Sequence, residues 1–378
     1  ARSALQQEIN NFVDAIQKIG TDTEYNGIKL LDGTFAGKVI HYGARADQVI
    51  SVGISSLKAT DLGAFIVQGT GKTTSSSNQA YSNLVAGDWK FESGDNIIVN
   101  GISLASSVNT GAVDAYSIAN AINNNAALQA AGISARATNS TIGTAWTGAT
   151  VDVSGTHSVS ATVVLKITEG YNTNMSANNV ISLTASSTTE GTLFQNLDTL
   201  VNDINTNAVS KGMTIRARND NGTLVLETNG QTIGVEVVTS ASSADAGTTV
   251  TVSFDLSQIF GSGGATVSST GSGALDSDTG SGIKVGDLTI AGIDSYSYNF
   301  TGISNASEGL GVAATGNATA TDLYSINVLT NSQAELALDI VNKAMQKVDK
   351  IRAQIGATMN NLQSIFDSQK VAYDNTKE

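Results

Sequence analysis

The side chains that most often do chemistry are few in this chain and far apart. Cysteine is absent, and His41 and His157 are the only imidazoles. Thiol nucleophiles, thiolate metal sites and disulfides are excluded together, and a His-based triad or multi-His metal centre would have to use one or both of those residues. Neither belongs to a His-Glu-x-x-His run, the spacing that sets two imidazoles on one helix face around zinc. His41 lies in Lys38-Val-Ile-His-Tyr42 with no second His and no carboxylate cluster nearby, and it reads as a surface strand residue. Asp276-Ser-Asp278 offers the alternate carboxylates that open a calcium loop, but the Gly and distal Glu are missing, which leaves a solvated turn. Gly261-Ser-Gly-Gly-Ala265 and Gly271-Ser-Gly-Ala274 lack the trailing Lys-Ser/Thr of a phosphate loop and read as flexible turns. Trp89 and Trp146 fall in β-like sequence and read as core residues rather than sugar platforms. The Asn-x-Ser/Thr triplets at Asn139, Asn174, Asn221, Asn299, Asn305 and Asn317 are what such an Asn-, Ser- and Thr-rich stretch produces by chance. No catalytic, cofactor-binding or metal-ligating residues are predicted, and an enzyme is disfavoured.

Composition narrows the elements that could position a site. The 378 residues suffice for two or three domains at roughly 150 residues each. Charged residues make up 14%, where about 25% is usual, yet the net charge is −13, which disfavours nucleic acid and anionic membrane surfaces as partners. No window supplies the ~18 uninterrupted apolar residues of a spanning helix, so no membrane insertion is expected. Proline is absent where average usage would give ~19. Ala1-Arg2-Ser3-Ala4 shows no basic segment followed by an apolar one, so no cleavable secretion signal is visible; export would use another route, or the chain is a fragment.

The two ends differ from the middle. Leu5, Ile9, Phe12, Ile16 and Ile19 are spaced by four, three, four and three, tracing one narrow stripe of a helix over Ala4–Ile19. Leu338, Val341, Met345, Val348, Ile351, Ile355, Met359 and Leu362 keep similar steps within a second helix from about Ser332 to Tyr373, too long for an ordinary globular helix. These stripes are expected to pack together, with Phe12 and Ile16 against Val348, Ile351 and Ile355, so that Phe12→Asp would cost more than ~3 kcal/mol. Between them, Asn26-Gly27 and Asp32-Gly33 mark tight turns, and Lys38–Tyr42 with Gln48–Val52 reads as a hairpin around a five-residue connection.

From about residue 64 to 321 the composition turns to Gly, Ser, Thr, Asn and Ala, with short strand-sized Val/Ile runs. A repeat lies inside it. Ser117-Ile-Ala-Asn-Ala-Ile122-Asn123 is echoed by Thr199-Leu-Val-Asn-Asp-Ile204-Asn205, with Ile122 aligned on Ile204, and each copy reads as a short amphipathic helix, a glycine and a strand. The helices are expected to cover one sheet face through Ile118 and Ile122 in one copy and Leu197, Val201 and Ile204 in the other.

The ends resemble bacterial flagellin. Thr23-Glu-Tyr-Asn-Gly-Ile-Lys-Leu-Leu-Asp-Gly33 looks like the turn after the family's second N-terminal rod helix, and Tyr42-Gly-Ala-Arg-Ala-Asp47 stands where flagellins carry a hairpin turn. Ala344-Met-Gln-Lys-Val-Asp-Lys-Ile-Arg-Ala-Gln-Ile-Gly-Ala357 looks like the C-terminal rod helix with its Arg-x-x-x-Gly-Ala signature, and the repeats resemble the Ile-Asn motif of flagellin variable domains. The resemblance implies a subunit of the flagellar filament, secreted and extracellular, self-assembling for motility, lacking the terminal polymerisation helices and the first rod helix. It further implies a homopolymer, an export chaperone, a cap protein and contact with an innate immune receptor on the rod, where Glu8 matches a family acidic position and Ala15 departs from one. The competing functions are a surface adhesin or glycan-binding flagellin-like protein and a hook–filament junction protein.

The expected fold is α+β: a long, coiled-coil-like helical rod domain from 1–63 and 322–378 with a β-hairpin, and inserted mainly-β outer domains. These divide as 64–160 with the first Ile-Asn repeat, 161–240 with the second, and 241–321 returning to the rod.

Overall fold

The computed structural model describes residues 1–43, 48–155, 158–245, 247–304 and 307–377. The fold is α+β. Helix α1, Arg2–Asp22, opens the chain, α2 (Ala115–Asn123) and α3 (Leu197–Ser210) lie in the middle, and α4 (Asn331–Lys377) closes it over 47 residues, about 70 Å at 1.5 Å per residue. Every strand pairing among the described residues is antiparallel. The hairpin read around residue 43 forms, as Lys38–His41 against Val49–Val52, while its connection at 44–47 and the positions His157 and Asn305 lie outside the described residues.

The connecting element is a six-stranded sheet in the order Arg216–Asp220, Thr223–Thr228, Ser134–Ala145, Asp287–Gly292, Gly63–Gly69, Thr319–Asp322. Strand periodicity gives it two roles. Ala64, Ile66 and Ala291 face a base core shared with Ala337, Ile340 and Ala344 of α4, while their neighbours Val67 and Ile290 face a second core that holds Tyr81, Trp89, Ile118 and Ile122. A third core lies between a five-stranded sheet, centred on Val159–Glu169 and Ile233–Ser243, and a four-stranded one, centred on Ala149–Ser154 and Thr249–Asp255. The cores interleave along the chain. Ala149 and Val151 share the third core with Val163, Leu226 and Val267, whereas Ile283, Phe300 and Ala318 return to the second.

Asp276-Ser-Asp278, expected as a turn, instead opens the strand Asp276–Lys284. That strand supplies no apolar alternation to read, because its buried positions before Ile283 are Gly280, Ser281 and Gly282. Outward faces carry Ser and Thr, which meet across adjacent strands: Thr162 Oγ1 and Ser186 Oγ at 3.3 Å, Ser240 Oγ and Ser277 Oγ at 3.0 Å.

The two repeats share one local design. Asp114 and Asn196, at equivalent places in the two copies, cap α2 and α3 by accepting from the N–H groups of Ser117 and Thr199. Ile118 and Ile122 are buried in one copy, and Leu197, Leu200 and Ile204 in the other, with Val201 half-buried. The Asn of each Ile-Asn pair is a clamp. Asn123 Nδ2 donates to Ala135 O and its Oδ1 accepts from Ala135 N, both at 2.8 Å; Asn205 does the same to Ala217 at 2.9 and 2.8 Å. A carboxamide presents donor and acceptor side by side, as a neighbouring strand would, and so satisfies a stretch of strand edge that lacks a partner. The copies differ beyond the clamp: α2 breaks at Asn124, and Asn125 caps a second short helix, Ala126–Ala130, whereas α3 runs unbroken to Ser210.

Replacing Asn205 by Ala strands the Ala217 N–H and C=O and should cost about 1–3 kcal/mol in denaturant unfolding. An unchanged midpoint would show that the clamp contributes nothing.

Candidate assembly surface

Helix α1 faces the base through Gln6, Ile9, Val13, Ile16 and Gly20. Val13 is only 5% exposed and packs in the core with Leu62, Leu323 and Ile326. Gln6 bonds the backbone on both sides of Asn327, donating to Ile326 O at 3.0 Å and accepting from Val328 N at 2.8 Å. Gly20 presses on the backbone of Lys58, where a Cβ would lie 2.8 Å from Lys58 Cα, so no larger residue fits. The helices α1 and α4 run in the same direction. Arg2 reaches Leu329 O and Asn331 Oδ1 at the start of α4, and farther along Ile16 and Val348 line one cleft.

The stripe named from spacing is therefore not a closed seam. Of its members only Ile351 is buried; Ile9, Ile16, Val348, Ile355 and Leu362 are half-buried; Leu5, Phe12, Ile19, Leu338, Val341, Met345 and Met359 are exposed. Phe12 is 62% exposed, which corrects the expectation that Phe12→Asp would bury a charge. One residue on, Val13 occupies the inward position: the spacing showed an apolar stripe but not which edge of it the base covers. Gln6 and Gln17 were missed because a glutamine that bonds loop backbone carries no periodic signal; Gln17 accepts from Thr60 N at 3.4 Å.

What remains uncovered is apolar and periodic. Leu5, Phe12 and Ile19 are seven residues apart, and Leu338 and Met345, then Met359, Phe366 and Tyr373, keep the same period along α4 on either side of an interruption at exposed Arg352. Between the helices an open apolar cleft of about 470 Å³ is lined by Ile9, Phe12, Ile16, Val341, Met345 and Val348. A second, of about 570 Å³, lies between Ile40 and Tyr42 of the hairpin and Met359, Leu362 and Phe366. Contiguous exposed apolar surface of this kind marks an interaction face.

Another arc of α4 is charged and occupied. Arg136 pairs with Glu335 at 2.7 Å and Asp339 at 3.1 Å, Lys350 with Asp294 at 2.6 Å, and Lys347 Nζ donates to Asp61 O at 2.7 Å. Lys343 is buried and donates to Gly132 O at 2.9 Å; burial pushes its ammonium below the usual lysine range, opposed by nearby Asp339.

The residues first weighed for chemistry are dispersed. His41 is exposed on its strand, Trp89 is buried in the second core, and Trp146 stands edge-on to Phe254 at 5.9 Å with Nε1 donating to Phe194 O. Gly261, with φ +86°, follows a short helix rather than opening one. Asp276 accepts from Thr270 N, and among the described residues no three His, Cys, Asp or Glu side chains converge to hold a metal. Buried Asp114, whose carboxyl is pushed above the ordinary range by burial, is fully used by Ser117 and Thr232. Among the described residues no helix is long and apolar enough to cross a membrane.

Uncovered apolar faces on the end helices, with the charges turned inward to hold a β-rich insertion, define the class of a structural assembly subunit. Residues 1–36 match the bacterial flagellin N-terminal helical region. The chain is similar to flagellin of Aquifex pyrophilus, 42% identical over 379 residues that span all of this chain and 69% of the relative. It is also similar to flagellin of Aquifex aeolicus, 36% identical over all of this chain and 70% of that relative, and, over 21% of this chain and 15% of the relative, to flagellin A of Helicobacter felis at 33%. The chain belongs to the flagellin family, and it is a structural subunit of the bacterial flagellar filament.

Val13→Asp should lower stability by more than ~3 kcal/mol, whereas Phe12→Asp should leave the thermal midpoint of the isolated chain nearly unchanged. Equal midpoints for the two variants would contradict the inward face assigned to α1.

Proposed function

We propose that α1, the hairpin at 38–52 and α4 form the assembling rod of the filament, with residues 64–321 as outer domains turned to solvent. The observation that carries this is the seven-residue period of exposed apolar side chains on both end helices, from Leu5 to Ile19 and, broken once at Arg352, from Leu338 to Tyr373. In a filament these positions pack against further helices of the same polymer in coiled-coil fashion, which lifts the cost of leaving them wet. The division into a rod at 1–63 and 322–378 is supported by the register of Gly63 with Asp322, since the two chain crossings into the middle lie side by side.

Secretion to the extracellular filament, an export chaperone, a cap protein and recognition by an innate immune receptor follow from family membership as part of the same proposal. Ser and Thr on the outward sheet faces suit an outer surface, because exposed hydroxyls stay hydrated without cost and the chain's net charge of −13 keeps neighbouring outer domains apart.

In the producing bacterium, replacing Phe12 and Met345 together by Asp in the complete protein should allow export but abolish filaments seen by electron microscopy. Filaments of normal length would overturn the assignment. Deleting residues 70–318 and joining Gly69 to Thr319 by a short turn keeps Ala64 and Ile66 over α4 and should leave assembly intact; loss of filaments while the rod stays helical would place a polymer contact in the middle.

A further inference from the structure

The contact between the first repeat and α4 is built differently from an ordinary surface ion pair. Arg136 engages the helix through a fork, Nη1 to Glu335 Oε2 at 2.7 Å, and Nη2 and Nε to Asp339 Oδ2 at 3.1 and 3.3 Å. One turn farther along, Lys343, 4% exposed, is bonded to Gly132 O and to Gln346 Oε1 at 3.3 Å, and then Lys350 meets Asp294. At about 100° per residue Glu335, Asp339, Lys343 and Lys350 occupy one arc of α4, and Leu338 and Met345 lie roughly a third of a turn away from its centre.

The second repeat serves as an internal control. Arg218, which follows the Asn205-clamped Ala217 as Arg136 follows the Asn123-clamped Ala135, pairs with Asp220 and Glu227 of its own hairpin; the glycine after the helix stands two residues closer to the clamp in the first copy, where a Cβ at Gly132 would strike Ile293, whereas at Gly212 the space is open. The same local design thus exists with and without a helix docked on it. Separate exposed ion pairs contribute little to stability, whereas a planar fork held at two carboxylates chiefly constrains direction.

We propose that Arg136, seconded by Lys343 and Lys350, is a positioning residue that fixes the rotational setting of α4 against the outer region, so that the Leu338 and Met345 face is the one turned toward neighbouring subunits. The consequence for assembly rests on the rod face proposed above. The clasp itself is intramolecular and is tested in the isolated chain, so the two can fail separately.

Because the chain has no cysteine, nitroxide labels can be placed at Val209→Cys, 68% exposed on α3, and Met359→Cys, 64% exposed on α4, with the rest of the chain unchanged. Pulsed electron spin resonance should give a narrow distance distribution in this parent and one at least about twofold wider after Arg136→Met, with helix content by circular dichroism unchanged. A width equal to the parent's in the folded variant overturns the proposal. If Arg136→Met loses helix content, Arg136→Lys decides: it keeps the charge but not the fork, and an intermediate width supports the clasp while the parent's width rejects it.

Discussion

A helix of 47 residues cannot be covered by a base less than half as long. Helix α1 spans 21 residues, and the buried apolar positions Ala337, Ile340, Ala344 and Ile351 all lie in the first half of α4. Beyond Ile351 the apolar positions Met359, Leu362 and Phe366 line an open cleft with Ile40 and Tyr42 of the hairpin. That mismatch of length leaves the second half of α4 with exposed apolar side chains, the surface proposed above for contact with other subunits. It also explains why an exposed Phe366 and Tyr373 coexist with well-packed cores elsewhere.

The insertion is organised around a single sheet. Its strands Gly63–Gly69 and Asp287–Gly292 place Ala64, Ile66 and Ala291 against α4, its centre carries the strand of the first repeat, and Thr223–Thr228 reaches into the third core. Segments attached through a continuous sheet differ from beads on a linker: displacing one requires breaking a ladder. Within this arrangement the repeated Ile-Asn pair does two jobs at adjacent positions. The Ile buries a helix against its sheet, and the Asn completes the hydrogen bonding of the next strand's edge. An aliphatic residue in place of the Asn would leave two backbone groups unpaired at a partly buried edge.

Charge is used sparingly and for direction. Lys166 and Glu236 pair at 2.8 Å beneath Tyr81, whose N–H also donates to Glu236, and the Arg136 fork and Lys343 join the first repeat to α4. Elsewhere on the strands, hydroxyls replace charges, which keeps outward sheet faces hydrated while leaving few long side chains to order.

The sequence alone determined the elements whose signals are local. Both end helices, the hairpin at 38–52, the β character of the middle and the duplicated Ile-Asn unit follow from apolar spacing, turn dipeptides and internal similarity, each set by residues within a few positions of one another. The absence of cysteine likewise excludes thiol chemistry and disulfides from the sequence alone. Tertiary structure decided what depends on distant partners. Which edge of the α1 stripe turns inward was fixed by Leu62, Leu323 and Ile326, the last two from the opposite end of the chain, so Val13 is buried and Phe12 is not. The interleaving of cores across residues 149–151 and 283–318 was set by strand pairing, whose register no single stretch encodes. Equivalent residues of the repeat, Arg136 and Arg218, met different neighbours and so acquired different roles, because a side chain's partner is a property of the fold and not of its own position in the chain.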